Sequence, residues 1–248
     1  MKRFSVCCIL CMLALSLVVL VLGCQPSAMD RYIGQGIDLA EEGRFDEAIL
    51  EFNKAIELDP ELALAYMARG IVYGSDKGEY DRAIADFTKA IELDPELASA
   101  YQYRGMAYYA TEEYERAIAD ITKAIELGVN DANTYCIRGY AFYSTDESDK
   151  AIADLTKAIE LDPEFASAYN FRGWAYHDKD EYDKAIADLT KAIELDPELA
   201  SAYAMRGAAY AMKDEAAKAV SDLKKAIELS DDPVTLNMAQ DILDWLER

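Results

Sequence analysis

Apolar and small residues recur along this chain at two nested intervals. Inside each of a series of short segments they stand three and four residues apart, the spacing that places side chains on one face of a helix. The segments themselves return at a longer interval marked by Gly36, Gly70, Gly105, Gly139, Gly173 and Gly207, separated by 34, 35, 34, 34 and 34 residues. Four residues before each Gly stands a Tyr (Tyr32, Tyr66, Tyr101, Tyr135, Tyr169, Tyr203), and three after it a large apolar residue (Leu39, Tyr73, Tyr108, Phe142, Tyr176, Tyr210). This pattern predicts a first helix in each segment. A second helix follows, where Ala-x-x-x-(Phe/Leu/Ile)-x-x-Ala recurs, from Ala48, Phe52 and Ala55 to Ala219, Leu223 and Ala226. Small residues on both helices permit close approach, and the larger ones fill the remaining gaps.

The joints between segments repeat as well. Leu-Asp-Pro-Glu occurs at Leu58 to Glu61, Leu93 to Glu96, Leu161 to Glu164 and Leu195 to Glu198. An Asp before Pro is expected to cap the next helix, with Pro in its first turn, where a missing N–H costs nothing, and Glu at the positive end of the helix dipole. On these residues the chain from Met29 to about Pro233 resembles six tetratricopeptide repeats, at 29–62, 63–97, 98–131, 132–165, 166–199 and 200–233, with 234–248 as a capping helix. The resemblance implies an all-α fold, a right-handed α-solenoid of helix-turn-helix hairpins.

The departures from the family pattern are specific. Arg69, Arg104, Arg138, Arg172 and Arg206 precede the Gly where the family usually has Leu, and an acid recurs on the second helices at Glu51, Asp86, Asp120, Asp154, Asp188 and Asp222. Repeated Arg–carboxylate pairs between packed helices are the expectation. One joint lacks its motif: Leu127-Gly128-Val129-Asn130 has no Asp-Pro, and Ser148 stands where most other segments carry Phe45, Tyr80, Tyr114 or Tyr182. Because each interface of a stacked array contributes separately to stability, this joint is expected to be the weakest.

The first residues read differently. Lys2 and Arg3 precede an uncharged run from Phe4 to Leu22, and Val21-Leu22-Gly23-Cys24 resembles a lipobox. Residues 1–23 are thus expected to be a lipoprotein-type signal peptide, 24–28 a short tether, and Cys24 the lipid attachment site, which would hold the protein at a bacterial cell envelope. The run also approaches the roughly 20 apolar residues of a transmembrane helix, so a single N-terminal anchor is the alternative. Beyond Cys24 the one remaining thiol is Cys136, so no internal disulfide can support the body.

Charge narrows the partners. The formal net charge is −22, and becomes −24 without Lys2 and Arg3. Such a surface repels nucleic acid. A single His, His177, and the lack of HExxH, GxSxG or a Gly-rich phosphate loop argue against an enzyme, a metal site or a cofactor. In tetratricopeptide arrays the first helices line a concave groove, and that resemblance implies a partner-binding set of Met67, Ile71, Gln102, Met106, Tyr109, Tyr140, Tyr143, Asn170, Trp174 and His177. Aromatic and Met side chains suit a protein or peptide partner, since they bury large area at modest entropic cost. The lysines of a carboxylate clamp are missing from this set. The Ala-rich last repeat would be a shallow end of the groove or a seat for the capping helix. The expected role is a non-enzymatic, membrane-anchored adaptor; self-association, or service as an accessory subunit of an envelope enzyme, are the alternatives.

Overall fold

The structure, a computed structural model, describes residues 27–246. They form thirteen helices and no strand. In chain order these are α1 (Ala28–Glu41), α2 (Phe45–Leu58), α3 (Ala63–Ile71), α4 (Tyr80–Leu93), α5 (Ala98–Ala110), α6 (Tyr114–Glu126), α7 (Ala132–Ser144), α8 (Ser148–Leu161), α9 (Ala166–Asp178), α10 (Tyr182–Leu195), α11 (Ala200–Met212), α12 (Ala216–Leu229) and α13 (Pro233–Leu246). Successive pairs make six hairpins, and α13 is the cap. The chain divides into two compact units, Met1–Val129 and Asn130–Arg248. The boundary falls inside the segment that lacks Asp-Pro. The leader and Cys24 lie outside the described residues.

Each hairpin closes on its Gly. A Cβ added at Gly173 would stand 2.6 Å from Leu189 Cγ, and one added at Gly36 would stand 2.5 Å from the Phe52 ring, so only a residue without a side chain admits the large apolar residue of the second helix. The Ala residues flanking it are fully buried, as at Ala185, Leu189 and Ala192. The single 35-residue interval is absorbed by a π-helical turn, Val72–Asp76, which continues α3 and takes up the extra residue.

The joint residues act differently from expectation. Asp59, Asp94, Asp162 and Asp196 accept the backbone N–H two residues on, at 3.0, 3.0, 3.0 and 3.2 Å, instead of capping the following helix. The helices begin later, after Leu62, Leu97, Phe165 and Leu199, with no side-chain cap. A short Asp side chain reaches its own turn sooner than the helix beyond it, so Asp-Pro shapes the corner between hairpins.

The Arg–acid pairing is present in both units. In the second, Arg172 donates from Nε and Nη2 to Asp188 at 2.7 and 2.9 Å and from Nη1 to Thr156 Oγ1 of the preceding hairpin at 3.0 Å. Arg206 does the same with Asp222 and Thr190, and Arg138 grips Asp154. In the first unit Arg69 joins Asp86 to Asn53, and Arg104 joins Asp120 to Thr88. Burial draws the Arg172 guanidinium toward deprotonation, but its hydrogen bonds to Asp188 and the charge there outweigh this and raise its pKa. Glu51 departs from the series. The first hairpin has Gln35 in place of Arg, so Glu51 pairs with Lys54 at 2.6 Å.

Candidate partner-binding site

In the second unit, α7 and α9 carry aromatic residues three apart, Tyr140 and Tyr143 on one and Phe171 and Trp174 on the other, and spacing of three keeps each pair on one face. The faces meet. Tyr140 lies 4.5 Å from Phe171 and 6.3 Å from Trp174 by ring centroids, Tyr143 lies 5.9 Å from Trp174, and Phe171 lies 5.7 Å from Trp174. All four remain partly exposed. Trp174 is held in place by Asn170, whose Oδ1 accepts the indole N–H at 3.1 Å while its Nδ2 donates to Ser201 Oγ at 3.2 Å.

Polar groups border this cluster. Burial, and then the charge of and hydrogen bond to Asp178, push the Tyr143 phenol well above its ordinary pKa, so it stays protonated. Asp178 itself is 45% exposed, and its carboxylate lies 3.6 Å from His177 Nδ1. The His177 ring stands edge-on to Tyr182 at 5.4 Å.

The first unit presents a smaller surface. Gln102, Met106 and Tyr109 on α5 are partly exposed, and Tyr109 meets Tyr114 edge-on at 6.3 Å. Ile71 lies against the core around Met67, Ala83 and Phe87. A shallow cavity beside α1 and α2 is bordered by Glu42, Arg44 and Glu47, which already satisfy one another.

Two of the residues expected on the surface are in the core. Met67 is 5% exposed and Asn170 is 2% exposed, so neither meets a partner directly. Cys136 and Ala204, at the same register, are also buried. The reason is visible at Asn170: the first helix of the next hairpin, through Ser201, covers that position. Ala204 and Ala211 are buried under Ala239 and Leu243 of α13, so the Ala-rich repeat is the seat of the capping helix. Phe171 was missed by the register rule; its signal was a large aromatic three residues before Trp174.

Helical hairpins that interlock through a small residue, recur at a fixed interval and are bridged by side-chain ladders define a repeat scaffold. The chain belongs to the tetratricopeptide repeat family. The TPR repeat pattern matches residues 36–76, 75–111, 139–180 and 173–214, and further tetratricopeptide repeats match at 98–130 and 200–233. Members of this family are generally non-catalytic adaptors. Among solved structures the chain is similar to YrrB, described as a TPR protein with an unusual peptide-binding site, with 29% identity and a TM-score of 0.64 over 77% of this chain and 97% of that one. It is also similar to MamA, with 33% identity and a TM-score of 0.61 over 68% of this chain and 92% of that one. PilF of Pseudomonas aeruginosa shares the fold at 19% identity, with a TM-score of 0.71 over 86% and 97% of the two chains. No curated protein sequence matches.

Proposed function

We propose that this protein is a membrane-anchored adaptor that holds partner protein segments against its first helices. The observation that carries the reading is the partly exposed cluster of Tyr140, Tyr143, Phe171 and Trp174, because a soluble protein normally covers contiguous aromatic surface unless a partner does so. Similarity to a peptide-binding tetratricopeptide protein supports it. The test is crosslinking in intact cells with mass spectrometry of the captured partners. Replacing Tyr140 and Trp174 together by Ala should abolish capture while circular dichroism stays helical; undiminished capture overturns the assignment.

The anchor is the second half of the proposal. It rests on Lys2, Arg3, the uncharged run to Leu22 and the lipobox-like Val21-Leu22-Gly23-Cys24. At least two acyl chains give stable attachment, at about 0.8 kcal/mol per buried CH₂. Cys24→Ser should move the protein from the membrane fraction to the soluble one. Continued attachment through an uncleaved leader would overturn lipidation and leave the membrane location standing. Light scattering over a range of concentrations tests the alternative in which a second copy fills the face.

A further inference from the structure

We propose that the surface formed by Tyr143, Phe171 and Trp174 accepts a lysine or arginine side chain from the bound segment, with Asp178 as its counter-charge. The inference rests on the reading of this face as a partner-binding surface and adds the chemistry of the anchor.

Some aromatic rings of the second unit already hold a cation. In the second unit Tyr135, Phe142, Tyr169, Tyr176, Tyr203 and Tyr210 each lie under an Arg or Lys of the same unit, at centroid distances from 5.1 to 6.0 Å. These are attractive contacts between a cation and the negative face of a ring. Among the described residues no Lys or Arg lies over Tyr143, Phe171 or Trp174.

The geometry of the three suits a cation. Tyr143 and Phe171 pack edge-to-face with Trp174, at interplanar angles of 67° and 86°, and all three rings are partly exposed, so a cation can settle on an exposed ring face with the neighbouring rings beside it. Trp174 is fixed by buried Asn170 and therefore loses little freedom when a ligand arrives. The acidic rim adds charge. Asp178 is 45% exposed beside Tyr143 and His177, and retains acceptor capacity beyond those contacts. The field of the whole protein has the same sign, with a formal net charge of −22, and this steers a basic segment toward the site.

The chain has two Trp, so a Trp245→Phe background leaves Trp174 as the sole indole reporter. The probe is the synthetic peptide acetyl-Ser-Leu-Lys-Leu-Lys-Ser-amide, compared with its counterpart carrying Gln in place of Lys. The Lys peptide should change Trp174 emission and bind about tenfold tighter than the Gln peptide. By calorimetry Trp174→Leu and Asp178→Asn should each weaken the Lys peptide about three- to tenfold, with helicity unchanged. Mere attraction to the acidic exterior survives Trp174→Leu, so unchanged affinity in that variant overturns the site. Equal affinity for the two peptides overturns the cation reading and leaves the general partner-binding face intact. Failure of both peptides also overturns the cation site, whereas the face is judged separately by crosslinking.

Discussion

Arg172 offers the sharpest test of how the hairpins are held together. Its side chain is 16% exposed and that of Asp188 is 11% exposed, so the pair is largely shielded from water. Replacing Arg172 by Ala removes three hydrogen bonds, two to Asp188 and one to Thr156, and leaves a shielded carboxylate without its partner. Removing one member of a buried pair costs about 3–5 kcal/mol, and the residual exposure here places the effect at the lower end, about 3 kcal/mol. Loss of the contacts with Tyr169 at 5.7 Å and Tyr176 at 6.0 Å adds roughly 0.5–1 kcal/mol.

Removing the charge from both sides should be milder. Arg172→Met combined with Asp188→Ala leaves no orphaned charge and should cost about 1 kcal/mol, less than Arg172→Met alone, so the two single costs should not add in the double-mutant cycle. Urea unfolding followed through Trp174 in the Trp245→Phe background reads the second unit directly. The effect should persist in 1 M salt, which screens shielded pairs little. As a surface reference, Lys184→Ala, which breaks a pair with Glu181 whose Lys side chain is 62% exposed, should leave the urea midpoint nearly unchanged. If Arg172→Ala costs less than about 1 kcal/mol, or if the two substitutions simply add, the ladder is decoration and stability comes from the apolar contacts alone.

Three further outcomes follow from individual residues. Cys136 is 3% exposed and its thiol is pushed up to about 12 by burial, so it should resist alkylation at pH 8 in the native protein and react promptly in urea, as mass spectrometry would show. Glu112 occupies a left-handed backbone conformation at φ 61°, where the first hairpin has Gly43 at φ 76°, so Glu112→Gly should raise stability by about 0.5–1 kcal/mol in thermal unfolding. Asp232 accepts the Thr235 backbone and hydroxyl hydrogens at 2.9 and 2.8 Å, and these hold its carboxyl below its ordinary value of 3.8. A lowered folded-state pKa contributes stability above the ordinary value and loses it as pH falls through the lowered one. Docking of α13 should therefore loosen below about pH 4, and Trp245 emission in a Trp174→Phe variant would report it.

The sequence by itself determined the helices, their pairing and the residues that lock them. A Gly opposed by Phe, Ile or Leu at a constant offset, and an Arg beside each Gly from the second repeat onward, repeat too regularly to serve any purpose but packing, and the structure places Gly173 on Leu189 and Arg172 on Asp188 accordingly. These contacts are made within one hairpin or between chain neighbours, so a local period is enough to reveal them.

The candidate surface was legible only in part, because exposure depends on the next hairpin. Positions three before and four after the Gly both lie within about 60° of it around the helix. Yet Met67, Cys136, Asn170 and Ala204 are buried at the first position while Gln102 there is partly exposed, and Tyr109, Tyr143 and His177 stay partly exposed at the second, where Ala211 is buried. No helical wheel separates them; the helix that crosses above does, as Ser201 does over Asn170. The same holds for the corner Asp residues and for α13. Asp162 had a turn and a helix within its sequence neighbourhood and took the turn, and α13 settled over Ala204 and Ala211, where small side chains left room for it. Periodicity defines the faces of each helix, and the crossing of neighbouring helices decides which of those faces meets water.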